Sequence, residues 1–134
     1  METRGIRNNN PGNIRRGQQW QGLSSTQTDS SFDQFVSPLW GIRAIAKIIK
    51  TYKSQGIDTI SGIITKWAPS NENNTTSYIN SVAKYVGISP SSCLDFNSKL
   101  LWCSLVSAII MHENGKQPYS DSLINEAVSM ALDS

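Results

Sequence analysis

The stretch from Asn97 to Gly115, NSKLLWCSLVSAIIMHENG, admits few roles other than the central element of a helical core. Asn97 and Ser98 are small polar residues that suit a helix N-cap. From Leu100 to Met111 the chain then runs almost without a polar face, interrupted only by Ser104 and Ser107. A soluble helix that is apolar nearly all round is a buried one, with the other elements packed about it. The run is too short and too broken to span a bilayer. It stops at His112-Glu113-Asn114-Gly115, where Gly115 suits the left-handed residue that closes a helix. Glu113 therefore falls at the negative end of a helix dipole beside apolar surface, a setting that disfavours an ionised carboxylate. A general acid working near neutrality needs such a setting, whereas an isolated Glu at a frayed end simply points to water. On the same grounds, Glu113→Gln is expected to fold at least as well as the native chain.

A chain of 134 residues is long enough for one domain, 1–134, with a substantial core. Four Trp, four Tyr and three Phe argue for a globular protein and against disorder. The net charge of +2 has its basic excess near the start, at Arg4, Arg7, Arg15 and Arg16. Those arginines lie among turn formers and not along a helix face, so a nucleic-acid partner is not expected. Cys103, inside the apolar run, is expected as a packed free thiol. A single His leaves no zinc-ligand cluster, and no metal or cofactor is implied. No apolar leader occurs between Met1 and Ser31, so the expectation is synthesis in the cytoplasm. Action in the periplasm or cell wall would then follow release, secretion or virion delivery.

Residues 1 to 36 lack helical periodicity and are rich in Asn, Gly and Pro, which predicts loops with a small hairpin or irregular sheet. Ser37 and Pro38 predict a helix start, and Gly56 its close. Within it Leu39, Ile42, Ile45, Ile48, Ile49 and Tyr52 share one face, while Lys47, Lys50 and Lys53 point to solvent. A shorter helix after Asp58 or Thr59 carries Ile60, Ile63, Ile64 and Trp67 and cannot pass Pro69. A polar loop from Ala68 to Asn74 leads to a third helix from about Asn74, with Tyr78, Ile79, Val82, Ala83 and Val86, closed by Gly87. Asp121 caps a last helix through Ile124, Ala127, Val128, Ala131 and Leu132. The fold class is mainly α (α+β), with a buried central helix and a small irregular or β region near the N-terminus.

No nucleophile elbow, P-loop, zincin or dinucleotide fingerprint is present, which leaves carboxylates and aromatics to carry any chemistry. Asp58, Asp95 and Asp121 sit near helix starts, where they favour the dipole. Trp20, Trp40, Trp67 and Trp102 read first as core residues. Trp20 and Trp67 adjoin polar loops, so either could instead stack against a sugar.

Three segments add a resemblance. NNNPGNIRRGQQWQG at Asn8 to Gly22, followed by FDQF at Phe32 to Phe35 and GIRA at Gly41 to Ala44, resembles the Asn-rich segment of bacterial glucosaminidases. WAPSNENNTTSYINSV at Trp67 to Val82 resembles the Tyr-bearing segment of lytic transglycosylases, and VSAIIMHENG at Val106 to Gly115 the end of their catalytic helix. All belong to the lysozyme-like superfamily, which cuts peptidoglycan glycan strands. There the Glu helix comes first and here it comes last, which resembles a circular permutation of the kind seen when termini are neighbours. Small phage lysins offer the nearest overall likeness.

The resemblance implies a lysozyme-like domain in which Glu113 protonates the β-1,4 oxygen between N-acetylmuramic acid and N-acetylglucosamine. A transglycosylase would reuse that carboxylate as base, and a hydrolase would need a second one. Asp29 and Asp33 are the candidates for it, and because neither stands out a transglycosylase is favoured. The implied substrate-binding set is Asn10, Asn13, Trp20, Trp67, Tyr78, Asn114 and Tyr119. The implied partner is peptidoglycan, met by a monomer. The alternative is a non-catalytic virion or cell-wall-binding protein that retains the lysozyme-like fold.

Overall fold

Helix starts and stops follow local chemistry closely. The computed structural model describes residues 2–69 and 72–134, with residues 72 and 73 by their backbone alone. In chain order the helices are α1 (Arg4–Arg7), α2 (Pro38–Ser54), α3 (Ile60–Trp67), α4 (Glu72–Val86), α5 (Lys99–Asn114) and α6 (Asp121–Asp133). Thr59 caps α3 by accepting from Gly62 N at 3.0 Å, and Ser98 caps α5 by accepting from Leu101 N at 3.2 Å. The cap of α6 is Ser120, accepting from Leu123 N at 3.1 Å, so Asp121 is its first helical residue and not its cap. Gly115 closes α5 at φ 73°, its N–H reaching the Met111 carbonyl at 2.7 Å. Helix α4 begins by Glu72, ahead of the start expected near Asn74; part of the expected Ala68–Asn74 loop lies outside the described residues.

The class is mainly helical, with α5 near the middle of the core. It packs against α4 and α6 and also meets α1 and α2, while α2 lies most extensively along α6. Leu101, Trp102, Leu105, Val106, Ala108, Ile109 and Ile110 of α5 are buried among Ile42, Ile45 and Ile49 of α2 and the apolar faces of α3, α4 and α6. Burial is not all round, however. Leu100 is 78% exposed and Met111 and His112 also reach solvent, because Leu100, Ser104, Ser107 and Met111 form one stripe along α5 that its neighbours leave partly uncovered. The Lys face of α2 is not wholly solvent-directed either. Lys50 Nζ donates to the Leu132 carbonyl at 3.3 Å, and Lys47 Nζ to Ser134 Oγ at 3.0 Å. These cations complement the negative end of α6.

The N-terminal region is held by side-chain amides. Asn9 and Asn13 occupy left-handed φ of 54° and 50°, a region Asn tolerates because its short amide bonds locally. Among the described residues the β structure amounts to two isolated antiparallel bridges, Arg15 with Phe32 and Leu23 with Phe35. The short α1 was not expected, since a single turn carries no periodicity. This region packs down on the start of α2, where a Cβ on Gly41 would stand 2.0 Å from the Asn9 carbonyl oxygen. Only glycine permits that approach.

Candidate functional site

Three segments far apart in sequence converge on the last turn of α5. Glu113 Oε1 accepts from Asn13 Nδ2 at 2.8 Å, and Oε2 accepts from the Tyr78 hydroxyl at 2.9 Å. Each donor has a local reason to be there. Asn13 ends the NNNPGN turn, whose left-handed backbone aims the amide at α5. Tyr78 is buried on α4, and its ring stacks on His112 with centroids 3.8 Å apart and planes at 24°. The indole of Trp67, the last residue of α3, lies near enough to the Tyr78 hydroxyl to oppose that proton's retention slightly. Burial, and then the Glu113 charge, push Tyr78 ionisation far above the ordinary phenol range, so its hydroxyl keeps its proton across physiological pH.

Glu113 lies between two adjoining hollows. One, of about 510 Å³, is walled by Asn13, Arg15, Phe32, Tyr52 and Trp67. The other, of about 520 Å³, is walled by Asn74, Ser77, Tyr78 and His112. Together they make a groove with aromatic faces and amide, hydroxyl and carboxylate groups, and Glu113 is the single acid on either wall among the described residues. No helix is long and apolar enough to cross a membrane, and no three His, Cys, Asp or Glu side chains are grouped to hold a metal ion, among those residues.

The expected site set divides. Asn13, Trp67, Tyr78 and Glu113 meet at the groove. Asn10 does not reach it: the side chain is fully buried, donating to the Ile14 and Asp33 carbonyls at 2.9 Å and accepting from Ile14 N at 3.0 Å. Asn114 is buried too. Its Nδ2 donates to the Pro11 carbonyl at 2.8 Å and the Ile110 carbonyl at 3.0 Å, and its Oδ1 accepts from the Thr3 hydroxyl. Both amides tie the N-terminal turn together or to α5, and both spend their two donor hydrogens inside the protein. Trp20 and Tyr119 pack against the core with Nε1 and OH buried, and neither lines these hollows.

The proposed second carboxylates fail for different reasons. Asp29 accepts from Arg4 Nη2 at 2.6 Å and Nε at 2.7 Å, and further from Asn8, Ser31 and Phe32. The Arg4 fork, and then the Ser31 N–H, hold its carboxyl well below the usual carboxylate range. It is a structural clasp. Asp33 is 4% exposed, and burial pushes its carboxyl up against a smaller opposing pull from Arg16. The stability expected for Glu113→Gln is likewise reversed, because both carboxylate oxygens accept hydrogen bonds and an amide offers one acceptor.

Sequence reasoning passed over Arg15, Phe32 and Tyr52 as groove residues. Tyr52 fits the apolar face of α2, and Arg15 and Phe32 meet only through a bridge inside an irregular region. The sequence signal that was available is the polar–apolar pattern about Ile14 and Phe32, too short to fix a pairing.

No protein-family model matches the chain. Over 122 residues it is 43% identical to Protein P5 of Pseudoalteromonas phage PM2, an alignment that takes in 87% of this chain and 74% of that protein. The chain belongs to the family of that phage protein. Kinship with Protein P5 of phage PM2 overturns the expected role as an enzyme cleaving the MurNAc–GlcNAc bond and favours the alternative, a non-catalytic phage protein. The site geometry is in keeping with that correction. Both Glu113 oxygens are taken up by the protein's own donors, and among the described residues the wall of the groove holds no second acid.

Proposed function

We propose that the protein is a non-catalytic virion protein of a phage that keeps a lysozyme-like fold and holds peptidoglycan glycan strands in the groove at Glu113 without cutting them. The kinship with a phage protein carries the choice against catalysis. The groove supports the choice of ligand. A sugar ring has apolar faces and polar edges, and it suits a site that sets aromatic rings beside a few fixed polar groups. Trp67 and Tyr52 supply the rings, and Asn13 and Glu113 the polar edge. Glu113 in this reading is an oriented acceptor for sugar hydroxyl or amide donors, held in place by Asn13 and Tyr78. The protein acts as a monomer, because one chain supplies the whole groove.

Co-sedimentation with purified, peptide-trimmed sacculi tests this reading. The native protein is expected to pellet with the sacculi, a Trp67→Ala variant to pellet at least fivefold less, and the supernatant to contain no glycan fragments. Soluble anhydromuropeptides or new reducing ends, released by the native protein and not by Glu113→Gln, would contradict it.

A further inference from the structure

Resting on that reading of the groove, we propose that it selects glycan bearing an anionic substituent, and that Arg15 is the residue that reads the charge. The local backbone puts Arg15 there. Arg16 N donates to the Ser31 carbonyl and Asp33 N to the Ile14 carbonyl, both at 3.0 Å, so Arg15 and Phe32 face each other as the closer, non-hydrogen-bonded pair of an antiparallel bridge. Side chains of such a pair share one face, and the Arg15 guanidinium lies 5.1 Å from the Phe32 ring centroid. A guanidinium over a ring face still has N–H groups with which to donate.

The neighbouring cations are committed elsewhere. Arg4 lies 4.6 Å from the centroid of the same ring but spends its fork on Asp29. Arg16 turns its Nη1 to the Asp29 carbonyl at 3.4 Å. Arg15 is exposed, lines the groove, and has no carboxylate partner among the described residues. Among the described residues the groove wall thus carries Glu113, which accepts from two donors, and Arg15, which meets the Phe32 ring but no carboxylate. A neutral β-1,4-linked N-acetylhexosamine chain leaves that guanidinium unused. A strand with a carboxylate on its sugar, such as a lactyl ether, can meet it with a bidentate charge-assisted pair.

Calorimetric titration with two soluble probes of equal length tests this: a neutral N-acetylglucosamine oligomer, and a peptidoglycan-derived oligomer whose muramic carboxylates are free. The native protein is expected to bind the anionic probe about tenfold more tightly than the neutral one, with the margin shrinking as salt rises. Arg15→Gln is expected to weaken the anionic probe about tenfold more than the neutral probe, and Arg15→Lys to keep part of the preference. Equal affinity for the two probes, or a preference that survives Arg15→Gln, overturns the role of Arg15 and leaves the groove reading standing. Failure of both probes to bind overturns the groove reading and this inference with it.

Discussion

Glu113 shows what a single residue gains from its neighbours. The sequence places it at the wrong end of a helix dipole, which alone makes it a destabilising charge. The structure surrounds it with Asn13 and Tyr78 as donors, so its removal costs more than it relieves. Glu113→Gln leaves one donor facing an amide NH2 and is expected to lower stability by about 1 kcal/mol. A melting temperature equal to or above that of the native protein would contradict it. Asp33 is the opposite case, a buried carboxyl whose Oδ2 has no partner among the described residues. Its folded-state pKa is raised, so the folded form gives up its proton after the unfolded chain does. Below about pH 4 both states are protonated and nothing is lost; as pH rises past that value the unfolded chain ionises first and stability falls. Asp33→Asn removes this loss, and its melting temperature is expected to exceed the native value at pH 7 and to converge on it near pH 4. Glu113, Asn13 and Tyr78 were legible in the sequence because each ends or punctuates a recognisable segment. Asn10 and Asn114 were misplaced because an Asn in a turn and an Asn at a ligand look alike until the backbone is known. Only the observed carbonyl partners separate them.

At the scale of elements, the long helices were readable from periodicity and punctuation: Pro38 and Gly115 mark real boundaries, and the Ile face of α2 is the buried one. What was not readable comes from contacts between elements. The lysines of α2 look solvent-facing on a helical wheel, yet Lys50 reaches the carbonyls at the end of α6 because the two helices lie side by side. The bridge of Arg15 with Phe32 joins chain positions too far apart, in too irregular a region, for alternation to reveal. Gly41 belongs to this scale as well. It lies inside α2, where Ala is ordinarily the better helix former. Here the Asn9 carbonyl oxygen occupies the space a Cβ needs, and a backbone atom cannot swing aside. Gly41→Ala is therefore expected to lower the melting temperature by several degrees, and to disturb the amide signals of Asn9 and Asn13 more than those of α4. A stabilised variant would mean that the N-terminal turn does not seat on α2 in this way.

For the whole molecule, the N-terminal turn region and the helical core are two halves of one groove. The turn contributes Asn13 and Arg15, α2 and α3 contribute Tyr52 and Trp67, α4 contributes Tyr78, and α5 carries Glu113 between them. On the proposed reading such a groove holds a glycan strand, and among the described residues Glu113 is the one acid it sets beside that strand. The most direct measurement is a backbone amide NMR titration with a soluble, uncrosslinked glycan strand, sampled repeatedly over a day. The expected result is saturable shifts confined to Asn13, Arg15, Tyr52, Trp67, Tyr78 and Glu113, with the glycan signals unchanged in length and end groups throughout. No shifts, shifts centred on Trp20 and Tyr119, or the steady growth of anhydro or reducing-end signals would contradict the account.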